Sequence, residues 1–298
     1  MDNAFKCIGL IGKYGDPGGA NTVLDLSRIL QERGCEVILE DQTAEAITDH
    51  QLPAASQADM ATQCDLVITV GGDGTLLNAS RNLVDHNVPI LGVNLGRLGF
   101  LVDVSPEEIH KRMNEILDGK FEEEHRIMLT TTIERHDGTA NSVGDALNDT
   151  VIHKWEVARM IETETYINGK FVNNMRSDGL IISTPTGSTA YALSAGGPIL
   201  EPDMQAMIIV PICPHTMSYR PIVIDGESEI EIYVKENPHS HAQVTCDGQI
   251  NLGVVSGDKV HIQKKDKFLR LIHPCKHCLL YTSDAADDAR RGGGGGGG

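Results

Sequence analysis

The stretch LVITVGGDGTLLNASRNLV, residues 66–84, passes from a continuous apolar run into a helical pattern through Gly71, Gly72, Asp73, Gly74 and Thr75. An apolar run that gives way at once to an amphipathic helix is a strand–helix unit, and strands joined through helices pair in parallel. That commits the first part of the chain to a parallel sheet covered by helices. A strand ending in glycines before a helix also presents free backbone N–H groups and the positive end of a helix dipole, which suits phosphate. The single carboxylate in such a turn needs a reason. Capping the following helix is one, because acidic groups are stabilising there; a part in chemistry is the other.

The same alternation runs through the first third. FKCIGLIG (5–12), EVILE (36–40), DLVITV (65–70) and VPILGV (88–93) read as strands, and TVLDLSRILQERG (22–34) reads as a helix stopped by Gly34. SPEEIHKRMNEILDG (105–119) has Ser105 to cap it, Pro106 in its first turn and Gly119 to end it. After about residue 125 the period changes from helical to two. IMLTTTIER (127–135), ETYINGKFV (164–172), SEIEIYVKE (228–236), AQVTCDG (242–248), DKVHIQ (258–263) and KFLRLIH (267–273) alternate, with Asn-Gly, Asp-Gly and Gly-Asp pairs as hairpin turns. The expected architecture is α/β + β: a Rossmann-like parallel-sheet domain over 1–125, then an antiparallel β-rich domain over 126–274, interrupted at 184–201.

Residues 275–298 end in seven glycines, show no periodicity and read as a non-native or disordered tail. If that tail replaces a native C-terminus, lower stability is expected. With 25 Lys+Arg against 42 Asp+Glu, the net charge of −17 argues against nonspecific binding to nucleic acid or anionic membrane. No apolar run reaches membrane-spanning length, and MDNAFKCIGLIG shows no signal-type segment, so a cytoplasmic location is expected. The seven cysteines are scattered, as free thiols would be. Cys275 and Cys278 stand close, with His273 nearby, but no second ligand pair follows at zinc-knuckle spacing.

The second constellation is SDGLIISTPTGSTAYALSAGGPIL, residues 177–200. Thr184, Thr186, Ser188 and Thr189 put four hydroxyls within six residues beside Tyr191, a dense set of short donors for phosphate or ribose oxygens. A turn with a helix cap would explain one of them. Neither G-x-x-x-x-G-K-[ST] nor, after the first strand, G-x-G-x-x-G occurs, which disfavours a P-loop kinase and an ordinary hydride-transfer enzyme.

VGGDGTLL, ALNDTVIH, MRSDGLIISTPTGSTAYALSAGGPIL and PHTMSYRPIVI, in this order, closely resemble the bacterial NAD kinases over roughly residues 5–274. GGDGT alone is shared with lipid kinases; the TPTGSTAY block and the Asn-acid pair narrow the resemblance. It implies transfer of the γ-phosphoryl of ATP, or of polyphosphate in some members, to the 2′-hydroxyl of the adenosine ribose of NAD, giving NADP. It also implies a site in the cleft between the two domains, a divalent cation (Mg²⁺) carried mainly by ATP phosphates, and a homodimer or homotetramer. A GGDGT-type lipid or small-alcohol kinase and a regulator without catalysis are the alternatives.

By the same resemblance Asp73 is the catalytic residue, flanked by Gly72 and Gly74. Asn148 and Asp149 grip nucleotide hydroxyls, although the family more often has Glu at the second position. Arg159, Arg176, Asp178, Thr186, Thr189, Ala190, Tyr191, Ala192, Leu193, Ser194 and Gln249 complete the implied binding set. Relatives that accept both NAD and NADH tend to carry Gly where this chain has Arg176, so a preference for NAD is expected. The loop 12–22 suits a lid over ATP or a plain turn, Arg97 is a candidate phosphate contact, and His215 is expected to be a neutral structural histidine.

Overall fold

The computed structural model describes residues 3–13, 15, 17–47, 50–96, 99–102, 104–155, 160–216, 218–235 and 242–275. The chain divides into two compact units, residues 1–125 with 269–298, and residues 126–268.

The first unit opens with β1 (Cys7–Gly12), α1 (Pro17–Glu32), β2 (Glu36–Glu40), α2 (Asp41–Ala46), β3 (Ala54–Ala55) and α3 (Gln57–Gln63). It continues through β4 (Leu66–Gly71), α4 (Asp73–Leu83), β5 (Ile90–Asn94), α5 (Ile109–Leu117) and β6 (Phe121–Arg126). Strands β1 to β5 pair in parallel in the order β3-β2-β1-β4-β5. All of β4 is buried because it lies between β1 and β5 with both faces covered, which is why its sequence is apolar without alternation. In α5, Ile109, Met113, Ile116 and Leu117 are the buried positions; that spacing turns one stripe onto the core, where Leu26, Leu30 and Leu91 lie.

Helix α1 starts at Pro17, five residues before the expected start, so half of the presumed 12–22 loop is helical. A proline at the first helical position loses only an N–H that has no partner there anyway. Gly18 and Gly19 each cost about 1 kcal/mol against alanine, which hides the helix from a propensity reading. The 105–119 helix begins as a 3₁₀ turn at Pro106–Glu108, and Ser105 stands at its N-cap without a side-chain capping bond. Gly119 ends it at φ +81°, as expected.

The second unit contains β7 (Leu129–Glu134), β8 (Ser142–Ala146), β9 (Asp149–Lys154), β10 (Ile161–Ile167), β11 (Lys170–Ser177) and β12 (Gly179–Ser183). After these come α6 (Tyr191–Ser194), β13 (Ala206–Ile212), β14 (Ile222–Asp225), β15 (Ile230–Val234), β16 (Ala242–Cys246), β17 (Ile250–Val254) and β18 (Lys259–Lys264). Two six-stranded antiparallel sheets form, β11-β10-β15-β18-β7-β8 and β14-β13-β12-β9-β16-β17. The inward residues of β7, Leu129, Thr131 and Ile133, alternate with half-buried ones, and Leu129 and Ile133 pack in the shared core with Ile152, Ile182 and Val244 of the other sheet. Asn168-Gly169 and Asp247-Gly248 adopt positive φ, as the hairpin reading required.

The back of the second sheet is covered too. Val151, Ile181, Ile208 and Val210 pack there against Ala192 and Leu200. The 184–201 interruption is therefore the lid that closes this second core, and it explains why β12 is buried along its whole length.

One boundary is corrected. KFLRLIH does not join the antiparallel domain: β19 (Leu269–Pro274) enters the first sheet beside β5, pairing in parallel through Leu271↔Ile90 and Ile272↔Leu91. Leu269, Leu271, Ile272 and His273 are all buried, and Ile272 joins the first core. Alternation marked it as a strand but could not say which sheet it would complete. Residues 276–298 of the expected tail, with Cys278, lie outside the described residues.

Candidate functional site

In the first unit a cavity of about 940 Å³ opens at the carboxyl ends of β1, β2 and β4. Ligands favour this edge of a parallel sheet. Gly12 and Lys13 line it from β1, Glu40 and Thr43 from β2 and α2, and Gly72, Gly74 and Thr75 from the glycine turn. Gly71 has no room for a side chain, since a β-carbon there would overlap the Thr75 hydroxyl. The turn is thus drawn tight.

Asp73 is the first residue of α4, after Gly72 at the N-cap, and its side chain does not cap the helix. The carboxylate turns to the segment after β5. Oδ2 accepts the Phe100 N–H at 3.2 Å and Oδ1 the Leu101 N–H at 3.2 Å. Burial pushes its pKa up, against the pull of the backbone N–H groups of Phe100, Leu101 and Val102. An ionised carboxylate has about four lone-pair sites, so these N–H groups leave acceptor capacity for another group.

In the second unit a cavity of about 590 Å³ gathers Asn148, Asp149, Asp178, Ala190 and Tyr191. Asp149 is 5% exposed, and among the described residues no side chain neutralises it. Burial first, then the nearby Asp247 carboxylate, push its pKa up to about 7. Asp247 shapes this corner: its carboxylate accepts the backbone N–H of Asn148 at 2.7 Å, of Leu147 at 3.1 Å and of Asp149 at 3.3 Å. Gly187 seats the TPTGST turn against the same corner, where a β-carbon would overlap the Asn148 carbonyl. Lys154 also lines the cavity and holds Asp178 at 2.6 Å.

Other expected contacts fall elsewhere. Ala192 is wholly buried in the core under the lid, so its methyl faces packing and not the cavity. Thr186 is buried beside Arg126 (Nη1 to Oγ1 3.4 Å). The hydroxyls of Thr184 and Ser188 are spent on backbone carbonyls, of Leu147 at 2.6 Å and Pro185 at 2.6 Å. Much of the four-hydroxyl cluster is therefore structural. Thr189 is half-buried and bonds the Thr186 carbonyl. Leu193 and Ser194 are exposed on α6; Gln249 is exposed after the Asp247-Gly248 turn; none of the three lines the cavity. Arg176 is exposed on the edge strand β11, and His215 is exposed, its backbone N–H bonded to the Arg176 carbonyl. Arg97 and Arg159 lie outside the described residues. Asp247 and Lys154 carry no sequence signal of their own: the first sits in an Asp-Gly hairpin turn, and the second ends an ordinary strand.

The ATP-NAD kinase N-terminal domain family matches residues 8–121, and the ATP-NAD kinase C-terminal domain family matches residues 147–274. The chain belongs to the NAD kinase family. The NAD kinase of Pseudomonas entomophila strain L48 is 49% identical over 273 residues, 92% of each chain. That of Pseudomonas syringae pv. tomato strain DC3000 is 50% identical over the same span, again 92% of each. Among solved structures, an NAD kinase from Archaeoglobus fulgidus in complex with ATP aligns with a TM-score of 0.73 at 25% identity, over 94% of this chain and 98% of that one. A yeast NADH kinase complexed with NADH aligns with a TM-score of 0.86, over 99% of this chain and 90% of that one; at 24% identity it speaks to the fold alone.

As a member of the NAD kinase family the chain is a phosphotransferase, moving the γ-phosphoryl of ATP to the 2′-hydroxyl of the adenosine ribose of NAD. Matches to both family domains decide against the lipid-kinase alternative, which shares the glycine turn alone. Among the described residues no helix is long and apolar enough to cross a membrane.

Proposed function

We propose that the glycine turn of the first unit receives the phosphates of the donor and that the second cavity grips the adenosine ribose of NAD. The convergence of Asn148, Asp149, Asp178, Ala190 and Tyr191 on one cavity supports this most, because they come from three separate stretches of the chain. Asp149 and Asn148 accept hydrogen bonds from sugar hydroxyls, and Tyr191, 47% exposed, offers a ring face. Lys13 adds positive charge at the donor phosphates.

In the reaction the 2′-oxygen forms a bond to the γ-phosphorus while the bond from that phosphorus to the β–γ bridging oxygen breaks, and ADP leaves. The transition state of such transfers is loose, so alignment and charge neutralisation count for more than a strong base. Asp73 orients the attacking hydroxyl and takes its proton late, to one of its carboxylate oxygens. Partial burial suits that step, because a carboxylate raised above its ordinary ~3.9 is a better proton acceptor.

Among the described residues no group of three or more His, Cys, Asp or Glu side chains converges as a metal cage would. Asp73 would offer a single carboxylate contact to a Mg²⁺ ion carried by the nucleotide phosphates. When bound, the ion neutralises charge on the phosphoryl group in flight. A reducing cytoplasmic setting and a homodimer or homotetramer belong to the same proposal; free thiols at the six described cysteines support the first.

Calorimetric titration with NAD tests the binding assignment. Asp149→Ala and Tyr191→Ala should each weaken NAD binding by about tenfold or more while ATP binding holds. Wild-type affinity for NAD in both variants would refute it.

A further inference from the structure

Glu40 ends β2 and is 6% exposed, yet it lines the first-unit cavity. A carboxylate placed there is unexpected beside a turn suited to phosphate, because the two repel. Its position is fixed by three hydrogen bonds from two residues. Oε2 accepts the Thr43 N–H at 3.0 Å and the Thr43 hydroxyl at 2.7 Å; Oε1 accepts from Gln57 Nε2 at 3.2 Å. Thr43 Oγ1 in turn accepts the Gly12 N–H at 2.8 Å, tying the carboxylate to the end of β1. Gln57 is held by Asn82, whose Nδ2 donates to its Oε1 at 2.7 Å. Oε1 carries a single bond and keeps acceptor capacity.

The sheet sets the span. Strands β2, β1 and β4 are successive neighbours, with Leu39 level with Leu10 and Val70 level with Gly12. Two strand spacings, ~10 Å, therefore separate the ends of β2 and β4. The cavity bridges them, and Ile11, Val23, Ala46 and Ile47 give it apolar walls that bare phosphate would not need. A buried group that only accepts hydrogen bonds calls for a neutral donor such as a sugar hydroxyl, the chemistry an acidic residue supplies at the end of the second strand in nucleotide-binding sheets.

We propose that Glu40 is a specificity-determining residue: it accepts a hydrogen bond from a ribose hydroxyl of the phosphoryl donor, so the donor site selects a nucleoside triphosphate over bare polyphosphate. This rests on the reading that the glycine turn receives the donor phosphates. The competing role for Glu40 is to cap α2 and nothing more.

The test measures NADP formation at saturating NAD with ATP, 2′-deoxy-ATP, 3′-deoxy-ATP and inorganic tripolyphosphate, in the wild-type protein and in Glu40→Gln, alongside thermal melts. The wild type should show a KM about tenfold higher for at least one deoxy donor than for ATP. Glu40→Gln should raise the KM for ATP to that level, leave the same deoxy donor unchanged, and leave tripolyphosphate no worse than before. Equal KM values for ATP and both deoxy donors in the wild type would overturn the proposal while leaving the donor-site reading intact. So would a variant that melts lower but keeps the wild-type ratio of deoxy donor to ATP, the mark of a cap. No NADP from any donor would sink the underlying reading and this proposal with it.

Discussion

A β-carbon on Gly99 would overlap Oδ1 of Asp73, so the segment carrying Phe100 and Leu101 can close on that carboxylate because position 99 has no side chain. Gly99→Ala should therefore displace Asp73 without touching a substrate. A shift of ~1 Å at a reacting group costs about 100-fold in rate. We expect kcat to fall by about that factor with little change in melting temperature; unchanged kcat would mean that the aim of this carboxylate is immaterial.

Asp149 gives the protein a pH signature. Its folded pKa of about 7 lies above the ~3.9 of an unfolded aspartate. Between those values the folded state binds more protons than the unfolded one, so this group's contribution to stability is lost as pH rises from about 4 to about 7. Each pKa unit corresponds to ~1.4 kcal/mol, so the loss is large enough to see in melting curves. Asp149→Asn should flatten the fall in melting temperature between pH 5 and pH 8. In the wild type, kcat/KM for NAD should rise with pH through about 7, as the carboxylate ionises and can accept ribose hydroxyls. A parallel pH profile in the variant would disprove this role.

Gly187 is where the hydroxyl-rich turn meets the Asn148 carbonyl. A methyl group there forces the turn and the Asn148–Asp149 corner apart. Gly187→Ala should raise the KM for NAD about tenfold or more, lower the melting temperature, and leave the KM for ATP within about twofold. An equal rise in both KM values would point to general unfolding instead.

Arg176 carries the expectation of dinucleotide preference. The wild type should use NAD about tenfold or more better than NADH in kcat/KM, and Arg176→Gly should narrow that gap. Equal efficiency with the two dinucleotides in the wild type would remove the inference.

Much of this arrangement was legible in the sequence. The βα unit at 66–84 announced itself because a central parallel strand must be apolar throughout, and the hairpins because Asn168-Gly169 and Asp247-Gly248 carry the only backbone cue such turns need. Local pattern gave out where partners are distant. Nothing local tells β19 to cross to the first sheet, or Asp247 to hold three N–H groups about 100 residues away in sequence. Hydroxyl count misled for a related reason: Thr184 and Ser188 look like ligand donors until their bonds to backbone carbonyls are seen. Glu40, inside an unremarkable EVILE strand, gave no sign at all.

The central claim is that Asp73 serves phosphoryl transfer to NAD and is more than a clamp on its loop. The most direct measurement incubates the purified protein with ATP, Mg²⁺ and NAD and assays NADP, beside Asp73→Asn, which keeps the side-chain shape. The account predicts NADP from the wild type and a loss of about 100-fold or more in kcat for the variant, with NAD affinity close to wild type. Wild-type turnover by Asp73→Asn would contradict it.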